Sequence, residues 1–145
     1  MIFINLQSHT RNPVVNMSMN KEDMEGNLSD DFVKINVGGT EFSTLLSTLN
    51  KSTTMARFIG GEQIRNLVKL KDGTIFVDRD AKHFQIILNF LRDMELFRRE
   101  RMTSIPTTEI ELSELEMEAN FYGIRELVAQ CKDPLLNMRH LIRRR

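Results

Sequence analysis

Three absences limit what this chain can be: it lacks a second cysteine, a long apolar run and an excess of charge of either sign. Cys131, the single cysteine, cannot form a disulfide within the chain, which fits a reducing compartment. No apolar run approaches the roughly 20 residues that span a bilayer, and residues 1–6 lack the length and basic start of a signal peptide. We therefore expect a cytoplasmic protein, with the nucleus as the alternative, and no membrane partner.

The charges balance, with 20 basic and 20 acidic side chains in 145 residues. A chain of this composition gives no electrostatic reason to bind a polyanion, so we expect no nucleic-acid partner. The exception is residues 139–145, which carry four arginines. Because of these arginines, a nucleic-acid-associated protein is an alternative. In that case the affinity for nucleic acid would fall steeply as the salt concentration rises.

The histidines and the cysteine do not form a ligand set. His9, His83 and His140 are far apart in the sequence, and one cysteine cannot complete a zinc site with them. Cys131 lies at helical spacing with apolar residues, which is typical of a small buried side chain. We therefore predict no metal and no cofactor.

Asp78 and Asp80 are the closest approach to a catalytic pair. Two carboxylates on either side of Arg79 could exchange protons with a substrate, but turn and cap chemistry is the simpler role for them. No other catalytic arrangement is present, so we predict that the protein is not an enzyme.

Residues 72–93 form the stretch around which the rest is organised. Asp72 and Gly73 predict a tight turn, residues 74–77 a strand, and Asp80 the N-cap of a helix. The helix has one apolar face, which we expect inside the domain. Its members are Phe84, Ile87, Leu88 and Leu91.

Residues 32–45 have the pattern of a β-hairpin, two alternating runs separated by Gly38 and Gly39. A phosphate-binding loop is the weaker alternative, because the surrounding glycine and lysine pattern is absent. Short helices are predicted at 46–50, opened by Ser47 or Thr48, and at 53–59, capped by Thr53 or Thr54. Residues 67–70 are either a short strand or an irregular approach to the next turn.

The C-terminal half is predicted to be helical. A capping box at residues 108–111 opens a helix that Gly123 ends, and a second helical run stops at Asp133 and Pro134. Residues 95–101 carry charge of both signs and are expected in solvent. Residues 134–145 form a short basic tail or a last frayed helix. Residues 1–30 lack periodicity and are predicted to be a disordered arm, whose apolar start could instead lie on a sheet edge.

Three motifs carry a family resemblance. They lie at residues 33–42 (VKINVGGTEF) with 45–49, at 76–80 (FVDRD) with 84–92, and at 118–124 (EANFYGI). In this order they resemble the BTB/POZ domain of the potassium-channel tetramerisation (KCTD) type. The predicted domain occupies residues 31–133.

The resemblance implies an α+β fold, a small β-sheet flanked by α-helices, with the central helix buried. It implies self-assembly into a tetramer or pentamer, and a role as a cullin-3 ubiquitin-ligase adaptor. The candidates for the oligomer interface are Gly38, Gly39, Thr40, Asp78, Arg79 and Asp80. The implied core residues are Phe84, Ile87, Leu88, Leu91, Phe121 and Tyr122.

The chain also departs from the family pattern. Ala81 stands where proline is usual, residues 93–96 replace the usual glycine, and the connection from 96 to 108 is long. Only a short tail follows Pro134 in the sequence, so we expect no separate client-recruiting domain in this chain. These departures keep a second function open, an assembly-only subunit that co-oligomerises with larger BTB proteins or channel subunits.

Overall fold

The fold is α+β, as the family resemblance implies: a four-stranded mixed sheet packed against helices. The structure is a computed structural model, and it describes residues 32–94 and 103–133. The strands are β1 (Phe32–Val37), β2 (Thr40–Leu45), β3 (Leu67–Lys69) and β4 (Ile75–Val77). The helices are α1 (Leu46–Leu49), α2 (Thr53–Ile59), α3 (Phe84–Asp93), α4 (Glu109–Tyr122) and α5 (Arg125–Lys132).

The predicted hairpin is confirmed. β1 and β2 pair antiparallel with Val37 opposite Thr40, which leaves a two-residue turn. Both turn residues have positive φ, 55° at Gly38 and 102° at Gly39. Two-residue hairpin turns of this kind need left-handed backbone, which glycine adopts without a steric penalty.

The other two strands give the sheet its order, β2-β1-β4-β3. β4 runs parallel to β1, with Ile35 opposite Ile75, and β3 pairs antiparallel with β4. Residues 67–69 are therefore a strand. A parallel pair needs a long crossover connection, and residues 46–74, with α1 and α2, supply it.

The core lies between the sheet and the helices. The apolar face of α3 is buried, and each of its four members is 2% exposed or less: Phe84, Ile87, Leu88 and Leu91. Tyr122 joins them at 1% exposure. Phe121 differs from the expectation, because it is only half-buried and packs against the core from the side. Successive helix residues point about 100° apart, so only one of Phe121 and Tyr122 can face the centre of the core.

The N-cap predicted at Asp80 is wrong. α3 begins at Phe84, and the residue before it, His83, makes no side-chain cap bond. Asp80 Oδ1 instead accepts a hydrogen bond from the backbone N–H of Lys82 at 2.8 Å. A turn over residues 81–83 separates the two, so the Asp80 carboxylate stabilises the turn and does not reach the helix.

The caps of the short helices also differ from the prediction. α1 follows Leu45 and has no side-chain cap, so neither Ser47 nor Thr48 opens it. α2 is capped by Ser52, whose Oγ accepts from the N–H of Met55 at 3.2 Å. Ser52 Oγ also donates to the carbonyl of Tyr122 at 2.6 Å, so this cap joins two distant parts of the chain.

The predicted boundaries of α4 are confirmed. Thr108 accepts from the N–H of Glu111, and Gly123 ends the helix in the left-handed region with φ 68°. A Cβ at Gly123 would lie 2.9 Å from Thr53 Cβ, so glycine is also needed for close packing.

The predictions for residues 1–30, 95–101 and 134–145 lie outside the described residues. Across residues 32–94 and 103–133, the helices are all too short or too polar to cross a membrane.

Leu88→Ala should lower the free energy of unfolding by about 2–5 kcal/mol, because it leaves a cavity in the middle of the buried face of α3. The measurement is urea unfolding at one fixed chain concentration. Met117→Ala is the control, since Met117 is 64% exposed and its truncation should have little effect. Equal stabilities for the two variants would contradict the assignment of α3 to the core.

Candidate assembly surface

The hairpin turn packs against the end of β4. The N–H of Gly38 donates to the carbonyl of Val77 at 2.9 Å. A Cβ at Gly38 would lie 2.4 Å from the carbonyl oxygen of Arg79, which is closer than any side chain tolerates. Glycine at this position therefore lets two of the predicted motifs meet.

Asp78 lies beside this turn on a fixed backbone. Its N–H donates to the carbonyl of Asn66, and its own carbonyl accepts from Asn66 Nδ2, both at 2.8 Å. Asn66 has φ 72°, a left-handed conformation that asparagine tolerates better than most residues. We call the exposed residues at this corner the assembly surface: Gly38, Gly39, Thr40 and Asp78.

The Arg79 side chain binds α4. Its Nε and Nη2 donate to the two carboxylate oxygens of Glu118, at 2.9 and 2.7 Å. Its guanidinium carbon also lies 4.2 Å from the centre of the Phe121 ring, in cation–π contact. The hydrogen bond to Glu118 raises the pKa of Arg79 above its usual value. Arg79 therefore joins β4 to α4 within the chain.

A second charged cluster joins the start of α3 to α4. Glu114 Oε2 accepts from Lys82 Nζ at 2.6 Å and lies 2.7 Å from Nε2 of the buried His83. These hydrogen bonds, first that of Lys82 and then that of His83, lower the pKa of Glu114. Asp80 is exposed nearby, and its carboxylate acts on the Lys82 ammonium electrostatically without a direct bond to it.

Several of these partners could not be predicted from the sequence. Glu118 and Glu114 lie 39 and 31 residues from the side chains they bind, Arg79 and His83. Glu118 lies within the closing motif of the family resemblance, three residues before Phe121, and this was the only signal for it. Asn66 lies in no motif.

The chemistry of these groups suits binding and packing. Within the described ranges, no three His, Cys, Asp or Glu side chains are placed to hold a metal ion. Burial raises the pKa of the Cys131 thiol to about 11, so it stays protonated near neutral pH and is a poor nucleophile.

Comparison with known proteins agrees with the fold. The family model of the BTB/POZ domain matches residues 33–131, from the second residue of β1 to the last but one residue of α5. The chain belongs to the BTB/POZ family, in its potassium-channel tetramerisation branch. The predicted family is thereby confirmed, and this BTB/POZ domain is an oligomerising protein–protein interaction module.

The relatives are longer proteins. BTB/POZ domain-containing adapter for CUL3-mediated RhoA degradation protein 2 of Mus musculus is 34% identical over 110 residues, 76% of this chain and 32% of the relative. BTB/POZ domain-containing adapter for CUL3-mediated RhoA degradation protein 1 of Danio rerio is 33% identical over 116 residues, which are 80% of this chain and 33% of the relative. The potassium channel regulatory protein of Homo sapiens is 36% identical over 113 residues, which are 77% of this chain and 38% of the relative. The chain spans about a third of the length of these relatives.

Arg79→Lys should destabilise the domain by about 1–3 kcal/mol, because lysine has one nitrogen and cannot form the two parallel hydrogen bonds that Nε and Nη2 make with Glu118. Thermal unfolding at fixed chain concentration measures the change. Arg57→Lys is the matched control: Arg57 pairs with Glu62 at 2.6 Å, but both side chains are more than half exposed, 56% and 53%. If the two variants melted alike, Arg79 would be no more than a surface charge.

Proposed function

We propose that the chain assembles into a homo-tetramer or homo-pentamer through the assembly surface, and that the assembled form is a cullin-3 ubiquitin-ligase adaptor. The observation that carries the proposal is the joining of the hairpin turn and the end of β4 into one exposed corner. Gly38, Gly39, Thr40 and Asp78 are exposed at this corner and lie outside the hydrophobic core, so they are accessible to a partner. This role is binding, without catalysis, in the cytoplasm or the nucleus.

The geometry of the corner supports a role in assembly. A closed ring of identical chains uses two different faces that meet head to tail. The backbone of the assembly surface is already held by the bonds of Gly38 to Val77 and of Asn66 to Asp78. Little conformational entropy is therefore lost when a neighbour binds there. Arg79 contributes indirectly, because its side chain is occupied by Glu118.

The cullin-3 part of the proposal comes from the relatives. Two of them are named as adapters for CUL3-mediated degradation. The potassium channel regulatory protein supports the alternative, an assembly-only subunit that joins larger BTB proteins or channel subunits. Both functions use the same domain, and they differ in whether cullin-3 binds.

Asp78→Arg should break the assembly, because it places a large cation at the centre of the assembly surface. Light scattering on the purified full chain should give the mass of four or five chains for the wild type and a smaller mass for the variant. Glu126→Arg, which makes the same change at an exposed position on α5, should leave the mass unchanged. A monomeric wild type at micromolar concentration would contradict the proposal.

Purified cullin-3 should be captured by the immobilised wild-type chain and by Glu126→Arg. If assembly is needed for an adaptor, Asp78→Arg should capture less. Failure of the oligomeric wild type to retain cullin-3 would overturn the adaptor function and leave the assembly-only function standing.

A further inference from the structure

Helix α4 carries apolar side chains on two opposite sides. Leu112, Leu115, Ala119 and Tyr122 face the core. Ile110 and Met117 face away from it and are 74% and 64% exposed. They are seven residues apart, which is two helical turns, so they lie on the same face. We call this face, with its flanking glutamates, the outer face of α4.

The outer face is negatively charged near Ile110. α4 contains five glutamates and no lysine or arginine. Three of them form ion pairs with other elements: Glu114 with Lys82, Glu116 with Lys132 and Glu118 with Arg79. Glu109 and Glu111 form no close ion pair with a lysine or arginine of the described residues. Glu111 accepts from Thr108 Oγ1 at 2.8 Å and interacts with Lys82 only through the longer-range electrostatic field. The two glutamates flank Ile110 in the first turn, where the helix dipole favours them but does not cover the apolar side chain between them.

The described chain ends beside this helix. α5 folds back along α4, and Lys132 Nζ lies 3.5 Å from Glu116 Oε1. Asp133, the last described residue, directly follows Lys132, so residues 134–145 continue the chain from a point close to α4. Twelve residues reach up to about 40 Å when extended. α4, with 14 residues, is about 21 Å long, so all of it is within reach.

The composition of residues 134–145 complements the outer face. The segment has four arginines and no acidic residue. Leu135, Met138 and Ile142 recur at helical spacing, and Leu141 and Ile142 are followed directly by three arginines. An apolar pair beside cations matches Ile110 between two glutamates.

We propose that residues 135–145 dock on the outer face of α4 of the same chain. Leu141 and Ile142 cover Ile110, and the following arginines pair with Glu109 and Glu111. The short connection from Asp133 keeps the segment at a high effective concentration, so modest contacts are enough. The docked segment also withdraws the basic cluster from other anionic partners.

The chain has no tryptophan, so Ile142→Trp adds a single fluorescent reporter to the full protein. Its emission should lie at shorter wavelength than that of the unfolded chain, because the indole is covered by α4. Reversing the charges with Glu109→Arg and Glu111→Arg should shift the emission to the exposed position. Glu126→Arg, on α5, is the matched control and should not shift it.

Two further variants separate docking from damage to the helix. In the charge-reversed chain, Arg143→Glu and Arg144→Glu should restore the short-wavelength emission by exchanging the signs. Ile110→Asp should abolish it while the melting temperature stays near that of the wild type, since Ile110 is largely exposed. An emission that is solvent-exposed in the starting chain, or that no variant changes, would overturn the proposal.

A mixing experiment decides whether docking occurs within one chain. Chains with the reporter and the charge-reversed face are refolded with an excess of chains that have an intact face and no tryptophan. Docking within the chain predicts that the emission stays at the exposed position. Recovery of the short wavelength would show docking on a neighbouring chain and would overturn the proposal as stated.

Discussion

The close approach of Gly38 to the backbone of Arg79 is the constraint on which the rest of the structure depends. A Cβ at Gly38 would lie 2.4 Å from the Arg79 carbonyl oxygen, so only glycine lets the hairpin turn reach the end of β4. With β4 held there, Arg79 extends to Glu118 and joins the sheet to α4. The absence of a side chain at Gly38 thus allows the hairpin, β4 and α4 to take their positions relative to one another.

The glutamates on α4 have two different roles: some form ion pairs within the domain, and others are exposed on its surface. Those in the middle and at the end of the helix bind cations from β4, from the residues before α3, and from α5. Those in the first turn form no close ion pair with a cation of the described residues. The larger apolar side of α4, with four buried residues, faces the core, and the ion pair of Glu118 with Arg79 adds to that orientation. The outer side is then free to bind another segment.

A surface used for assembly benefits from a backbone that is already rigid. The corner formed by the hairpin turn and Asp78 is held by backbone bonds and by Asn66, so a partner would meet a fixed shape. The charged partners of Arg79 and His83 lie within the chain, so these two side chains are already engaged in the fold. In this domain the side chains that stabilise the fold are therefore different from the exposed groups at the corner.

Local patterns in the sequence determined the hairpin, the apolar face of α3, and the start and end of α4. Each of these depends on residues close together in the chain, through period, turn chemistry or capping. The parallel pairing of β1 with β4, the cap at Ser52, the side position of Phe121 and the bond from Arg79 to Glu118 were decided by tertiary structure. They depend on groups tens of residues apart, whose meeting follows from how the helices pack on the sheet. Asp80 shows the limit most clearly: its type suits a cap, but an intervening turn moved the helix beyond its reach.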